Sequence, residues 1–274
     1  MYSGTTIRTK SGLVMGAHQK IDRVAHRLLK PLLKRSLKFP NTKDILHFEG
    51  LNGPDGVKRK SPGRDEPWHF IDPRDPEDRA LLDDISNHRE NLTKALIEND
   101  QVRAAFEAAW LAHAVVDGLT PAHHEPFEEE LERLRGEDIT TRTSVKSKIV
   151  MPGGGSTKQF IRNNWEYWGA KGVMSTHFHF EIGVASTITP LGFEGAGPSG
   201  NDIIRLKNHG FEPLFLEALH EIASLKMYDQ FLKKGWTSRM AAMTRTTLAP
   251  IIIRMVILAW YECYWRALQK KGLS

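Results

Sequence analysis

The chain has 274 residues, of which 40% are hydrophobic and 26% charged, so it carries ample apolar surface for a core and is neither a mainly disordered nor a collagen-like polymer. Thirty-eight Lys and Arg against 33 Asp and Glu leave a formal charge of +5. The single cysteine, Cys263, excludes an internal disulfide framework and a thiolate metal cage, so any metal must be held by nitrogen and oxygen.

Near the N-terminus, Arg8 and Lys10 precede a stretch from Gly12 to Ala17. It is too short and too glycine-rich for the apolar region of roughly 7–15 residues in a secretory signal, so a cytoplasmic location is the expectation from sequence. From His18 to Lys38, Ile21, Val24, Ala25, Leu28, Leu29, Leu32 and Leu33 recur at three- and four-residue steps. Lys20, Arg23, Arg27, Lys30, Lys34 and Arg35 fall between them, which predicts a helix with one apolar stripe and one basic face, kinked or split at Pro31. A turn-rich stretch from Phe39 to about Pro76 follows, punctuated by Asn52-Gly53-Pro54-Asp55-Gly56, Ser61-Pro62-Gly63 and Asp72-Pro73.

Helices are predicted next at 77–99 and 101–118, with a shorter acidic one near 127–135. Met151 to Ser156 reads as a loop, 157–168 as a helix, and another helix starts near Ser175. Thr189 to Asn201 is a second loop, and two long helices, 211–234 and 238–270, close the chain. Within the last, Leu248 to Trp260 comes nearest to a membrane span, but Pro250 and Arg254 interrupt it, so a buried helix is expected. Alternating strand patterns are absent. The prediction is an all-α, single-domain multi-helix bundle with long loops over 1–274.

Chemistry-bearing residues recur along this frame. His113 and Asp117 are four apart on a helix, so both side chains leave one face and can meet one cation. Ala104, Ala105, Ala108, Ala109 and Ala112 upstream let neighbouring helices approach, and Gly118 and Pro121 end the helix so that the chain turns to present His123. His177 and Glu181 are again four apart, with His179 on the opposite side. His69 stands between apolar residues in a loop, Asp55 in a turn, and His18 opens the first helix with Asp22 four residues on. Taken one at a time, each of these also fits a solvated pair, a packed histidine or an ordinary turn.

Their order along the chain resembles the zinc-dependent phospholipase C family and the related zinc-dependent single-strand nucleases. The matching stretches are Gly16-Ala17-His18, Pro54-Asp55, His69-Phe70-Ile71-Asp72-Pro73, His113-x-x-x-Asp117 with Pro121-x-His123, and His177-x-x-x-Glu181. The resemblance implies two or three Zn²⁺ ions. Asp55, His69, His113 and Asp117 would hold one, His123, His177 and Glu181 a second, and His18 with a bridging Asp117 would contribute to a third. Glu49 and Asp65 are rivals for the place of Asp55, and His124 for that of His123. The donor chemistry agrees with this grouping, since imidazole and carboxylate suit zinc and leave room for water.

The implied activity is phosphodiester hydrolysis by metal-activated water, with Asp55 as both ligand and proton acceptor. The family begins with a tryptophan whose amino group binds a metal, whereas this chain begins Met1-Tyr2; either Met1 or a processed terminus returns to the site, another residue replaces it, or two metals suffice. The family is usually secreted, which contrasts with the expectation for this N-terminus.

The substrate is a phospholipid in one branch and nucleic acid in the other. The Pro54-Asp55 turn and the short link from Asp117 to His123 look more like the phospholipase branch. The basic first helix and Lys58-Arg59-Lys60 suit peripheral contact with anionic lipid, or nucleic acid, or a merely solvated face. Trp68, Trp165, Tyr167 and Trp168 read as an apolar lip, a stacking platform or core. Two rivals come from other classes. A di-iron bundle needs two Glu-x-x-His motifs and only Glu217-x-x-His220 fits, whereas a non-enzymatic helical binding protein could keep the scaffold without the metals.

Overall fold

A computed structural model describes residues 1, 3, 16–60, 69–125, 127–138 and 141–273, the side chains of 59 and 128 aside. The Ser61-Pro62-Gly63 turn, Asp65, Trp68, Arg8 and Lys10 lie outside the described residues. The architecture is all-α, and the described residues contain no strand.

The first helix, α1 (Ala17–Leu29), buries Ile21, Val24, Ala25 and Leu29 and turns Arg23, Arg27 and Lys30 outward, as its pattern requires. It ends before Pro31, which sits in a 3₁₀ turn, so Leu32 does not continue the inward stripe and is exposed. The turn-rich stretch is more ordered than its composition suggests. It holds α2 (Thr42–His47), capped by Asn41, and α3 (Pro54–Lys60), which starts on Pro54 with Asp55 in its first turn. Pro54 and Asp55, expected as a turn, are therefore a helix start, because proline lacks only an N–H that the first helical turn leaves unpaired.

The centre is the helical hairpin α4 (Ala80–Glu98) and α5 (Gln101–Gly118). Asn99 turns it in the left-handed region, and Asp100 caps α5 by accepting from Arg103 N–H at 2.9 Å. Ala104, Ala105, Ala108, Ala109 and Ala112 are fully buried. Their small size lets the Trp260 indole reach the α5 backbone, where Nε1 donates to the Ala108 carbonyl at 2.8 Å.

Downstream lie α6 (Phe127–Arg135), α7 (Val145–Ile149), α8 (Thr157–Trp168), α9 (Val173–Ile188) and α10 (Gly200–His209). Neither α7 nor α10 is apparent from periodicity; each is set by a capping box, Ser144 with Ser147 and Ser199 with Asp202. A small satellite core of Leu131, Leu134, Met151 and Tyr167, with Phe127, Val173 and Met174 against it, ties α6, α8 and α9 together.

The two long terminal helices are both interrupted. One is α11 (Phe211–Ser224) and α12 (Met227–Lys234), broken at Lys226 with φ of 49°, a turn that lets Met227 and Phe231 point into the core. The other is α13 (Ser238–Met243), a π-helical turn at Thr244–Leu248, and α14 (Ala249–Lys270). The widened turn sits just before Pro250, whose missing N–H breaks the regular ladder. The span 238–270 is long and apolar enough to cross a membrane, but Ile252, Val256, Ile257, Leu258 and Trp260 are buried by α1, α4 and α5.

Candidate metal centre

Six segments meet near the C-terminal end of α5. His113 and Asp117 project from that helix. Gly118 ends it where a Cβ would come within 2.7 Å of Leu81 Cδ2 and 2.8 Å of Phe215 Cζ, so the tight exit needs glycine. A 3₁₀ turn at Pro121–His123 then brings His123 back, with its N–H donating to the Thr120 carbonyl at 2.8 Å. The loop carrying His69 is stitched to this turn twice: Ile71 N–H donates to the His123 carbonyl at 3.1 Å, and His123 Nδ1 donates to the His69 carbonyl at 2.7 Å. His18 comes from the first turn of α1, Asp55 from α3, and His177 and Glu181 from α9. Gly56 seats α3 against the turn at 50–52, where a Cβ would stand 2.0 Å from the Leu51 carbonyl oxygen.

Three donor groups result, and the ligating atoms within each lie within 4.8 Å of one another: His18, His113 and Asp117; Asp55, His69 and His113; His123, His177 and Glu181. Asp117 is shared. Its Oδ1 lies 3.2 Å from His18 Nε2 and 3.9 Å from His123 Nδ1, and its Oδ2 lies 2.7 Å from His69 Nδ1 and 3.1 Å from His113 Nε2. The α-amino group of Met1 pairs with Asp117 Oδ1 and lies 3.2 Å from Glu181 Oε1. His113 Nε2 is 3.8 Å from Asp55 Oδ1, and the His18 and His113 rings stack at 4.0 Å. Glu181 Oε1 is 3.0 Å from both His123 Nε2 and His177 Nε2. All eight residues expected from sequence are thus in one place. Asp55, at 24% exposure, and His177, at 12%, stand on its rim.

The electrostatics favour cations. Burial raises Asp117 and Glu181, but the Met1 ammonium and the neighbouring histidines outweigh this and hold both carboxyls well below their ordinary values. Asp55 is likewise lowered by His113 and His18 against the opposing effect of burial. Burial pushes His69 down to about 4 and His123 down to about 3, so both rings are neutral at pH 7. His113 is the exception: burial lowers it, yet Glu49 and Asp117 together raise it well above the usual value. The Met1 amino group is raised to about 10, because Asp117 and Glu181 overcome its desolvation. Protons on His113 and Met1 therefore balance the carboxylates.

The donor set fits metal ions on two observations. His123 donates through Nδ1, so in the neutral ring its Nε2 lone pair faces Glu181 Oε1 at 3.0 Å, a pair of atoms that either a proton or a shared metal ion satisfies. His18 Nε2 and His113 Nε2 stand within ion-pair distance of Asp117 without hydrogen-bond alignment, and His69 Nε2 is buried with no partner. Ring nitrogens turned toward a common carboxylate rather than toward one another suit coordination, with His113 giving up its proton when an ion binds.

A second layer supports the first. Glu49, a rival of Asp55 for a ligand position, sits behind the cluster and accepts from His113 Nδ1 at 3.0 Å, which leaves Nε2 for the site. Its signal in sequence was weak, a lone acid in a turn 64 residues from His113. Asp22 is also buried, and burial together with the Glu49 charge raises its carboxyl well above the usual value. His124 does not replace His123: its Nε2 donates to the Gly118 carbonyl at 2.9 Å, and burial lowers it to about 4. His179 is exposed. Phe70 and Phe127, stacked at 5.1 Å, wall the site beside His123 and His177, and Lys58 Nζ lies 5.7 Å over the Phe70 ring. Compared with family models, curated proteins and solved structures, the chain finds no match.

Proposed function

We propose that this chain is a zinc-dependent phosphodiester hydrolase of the phospholipase C type. The observation that carries the reading is the convergence of His18, Asp55, His69, His113, Asp117, His123, His177 and Glu181 on three neighbouring donor groups, two of which share His113 beside the central Asp117. Asp55, His69, His113 and Asp117 would hold one ion, and His123, His177 and Glu181 another. His18 and Asp117, with the Met1 amino group beside them, would hold a third. Neighbouring ions of this kind supply Lewis acidity toward a phosphoryl oxygen and lower the pKa of bound water toward 7.

The protein's own groups do the rest. Asp55 is held ionised by His113 and His18 and reaches the rim, where it can accept a proton from the attacking water. Glu49 fixes the His113 ring, and the His69 carbonyl fixes that of His123. Phe70 and Phe127 shield one side from solvent, and Lys58 places a cation at the rim where a phosphate approaches.

The test is to measure zinc in the purified protein and to assay cleavage of a phosphatidylcholine analogue and of single-stranded DNA before and after chelation. Zinc-dependent release of the phosphorylated head group is expected. Digestion of DNA alone would transfer the site to the nuclease branch. Zinc binding without hydrolysis of either would make the protein a binding module, and activity that survives complete zinc removal would end the proposal.

A further inference from the structure

The aromatic residues of α8 have separate fates. Tyr167 enters the satellite core, whereas Ile161, Trp165 and Trp168, spaced four and three apart, are 62%, 71% and 45% exposed. With Phe160 they form a shallow apolar groove closed by Asn164 and Gly169. This is built structure. The Trp168 indole is anchored by donating from Nε1 to the Ile149 carbonyl at 2.6 Å. Gly169 brings the chain under the Trp165 ring, where a Cβ would stand 3.1 Å from the indole carbons. An anchored aromatic face of this kind is not explained by packing within the chain.

Charge identifies what it meets. Residues 141–175 contain Arg142, Lys146, Lys148, Lys158, Arg162 and Lys171 against Glu166 alone, a net +5 that equals the formal charge of the whole chain. Glu166 is itself committed to Arg162 at 3.2 Å and Arg133 at 3.3 Å. Lys146, Lys158 and Lys171 have no ion-pair partner among the described residues, and Lys158 and Lys171 are exposed around the groove. Indoles at the level of the head groups, flanked by free lysines, are the chemistry of an anionic bilayer surface.

The face also adjoins the donor groups. Phe127 at the start of α6 lies 5.6 Å from His177, while Arg133 near the end of the same helix pairs with Glu166 of α8. Ser175, two residues before His177, donates to the Trp168 carbonyl at 2.8 Å.

We infer that the Ile161–Trp165–Trp168 face docks the protein on a phospholipid surface bearing anionic head groups and sets the histidine–carboxylate cluster against its substrate. The inference deepens the phospholipase reading and rests on it for the purpose of docking, although docking itself is measured without hydrolysis. The experiment is sedimentation of the full chain with vesicles of phosphatidylcholine and phosphatidylserine analogues in which a methylene replaces the cleavable glycerol oxygen. The protein should partition onto these vesicles and less onto vesicles lacking the serine lipid. The double variant I161A/W165A should bind at least about tenfold more weakly, while keeping the zinc content and melting temperature of the parent. A K158E/K171E variant, which leaves the apolar residues in place, should lose the preference for the anionic lipid. Equal partition of parent and variants would overturn the inference. So would a dimer that dissociates on I161A/W165A, or single-stranded DNA binding that disappears in that variant while vesicle binding persists. Loss of zinc or of hydrolysis with vesicle binding intact would count against the catalytic reading alone.

Discussion

Replacing Asp117 with Asn preserves the shape of the side chain and removes its charge. One 1%-exposed carboxylate here serves the Met1 ammonium, His18, His69 and His113, with His123 at 3.9 Å. An amide offers a single acceptor and turns an N–H donor toward one of these groups. Two of the proposed ions use Asp117, and the group of His123, His177 and Glu181 does not. Zinc measured by elemental analysis should therefore fall from two or three equivalents to about one, rather than to zero. With free zinc about a hundredfold above its dissociation constant, each lost site removes about 2.7 kcal/mol of linked stability, or roughly 5–10 °C of melting temperature in a chain of this size. In chelator the variant should still be less stable than the parent by about 3–5 kcal/mol, because His113 stays buried without one of the two carboxylates that keep it charged. Urea unfolding with and without chelator separates the two effects. A variant that keeps its full zinc content would refute the idea that this carboxylate is shared.

Glu49→Gln weakens the acceptor behind His113 while keeping its size, so zinc affinity should drop about 10–100-fold in competition titrations with a chromophoric chelator. Gly56→Ala pushes a methyl group into the Leu51 and Gly50 carbonyls, so α3 must shift and carry Asp55 with it; about 1–3 kcal/mol of stability and part of the bound zinc should be lost, read by thermal melts and elemental analysis. His124, whose ring turns to the Gly118 carbonyl and belongs to none of the donor groups, tests the pH response. It is held at about 4 when folded against an ordinary value of 6.5, so between these limits the unfolded chain binds a proton that the folded chain excludes, and stability falls as pH falls. From about pH 7 to about pH 5 this amounts to about 2 kcal/mol, and His124→Asn should remove that much of the acid sensitivity in urea unfolding, provided the amide keeps a donor for the Gly118 carbonyl.

Several elements were legible because their physics is local. The spacing of His113 and Asp117 places both on one helical face, and Gly118 with Pro121 marks the exit that returns His123. The helix at 157–168 and the hairpin at 80–118 follow from periodicity and caps. The short helices α2, α3, α7 and α10 were not legible, since five to ten residues hardly establish a period and caps and packing decide them. The terminal helices read as continuous because their apolar residues keep step through Lys226 and the turn before Pro250, where core packing overrides the pattern.

Composition and periodicity on their own dictated an all-helical chain with nitrogen and oxygen as its only ligating atoms, because helix faces and residue types are properties of neighbouring positions. Whether Glu49 ligates or orients, which carboxylate stands at the crossing, where the Met1 amino group rests and whether Trp165 packs inward or faces water were matters for the tertiary structure. Each depends on segments tens to more than a hundred residues apart coming within a few ångströms, and no local preference encodes such a distance.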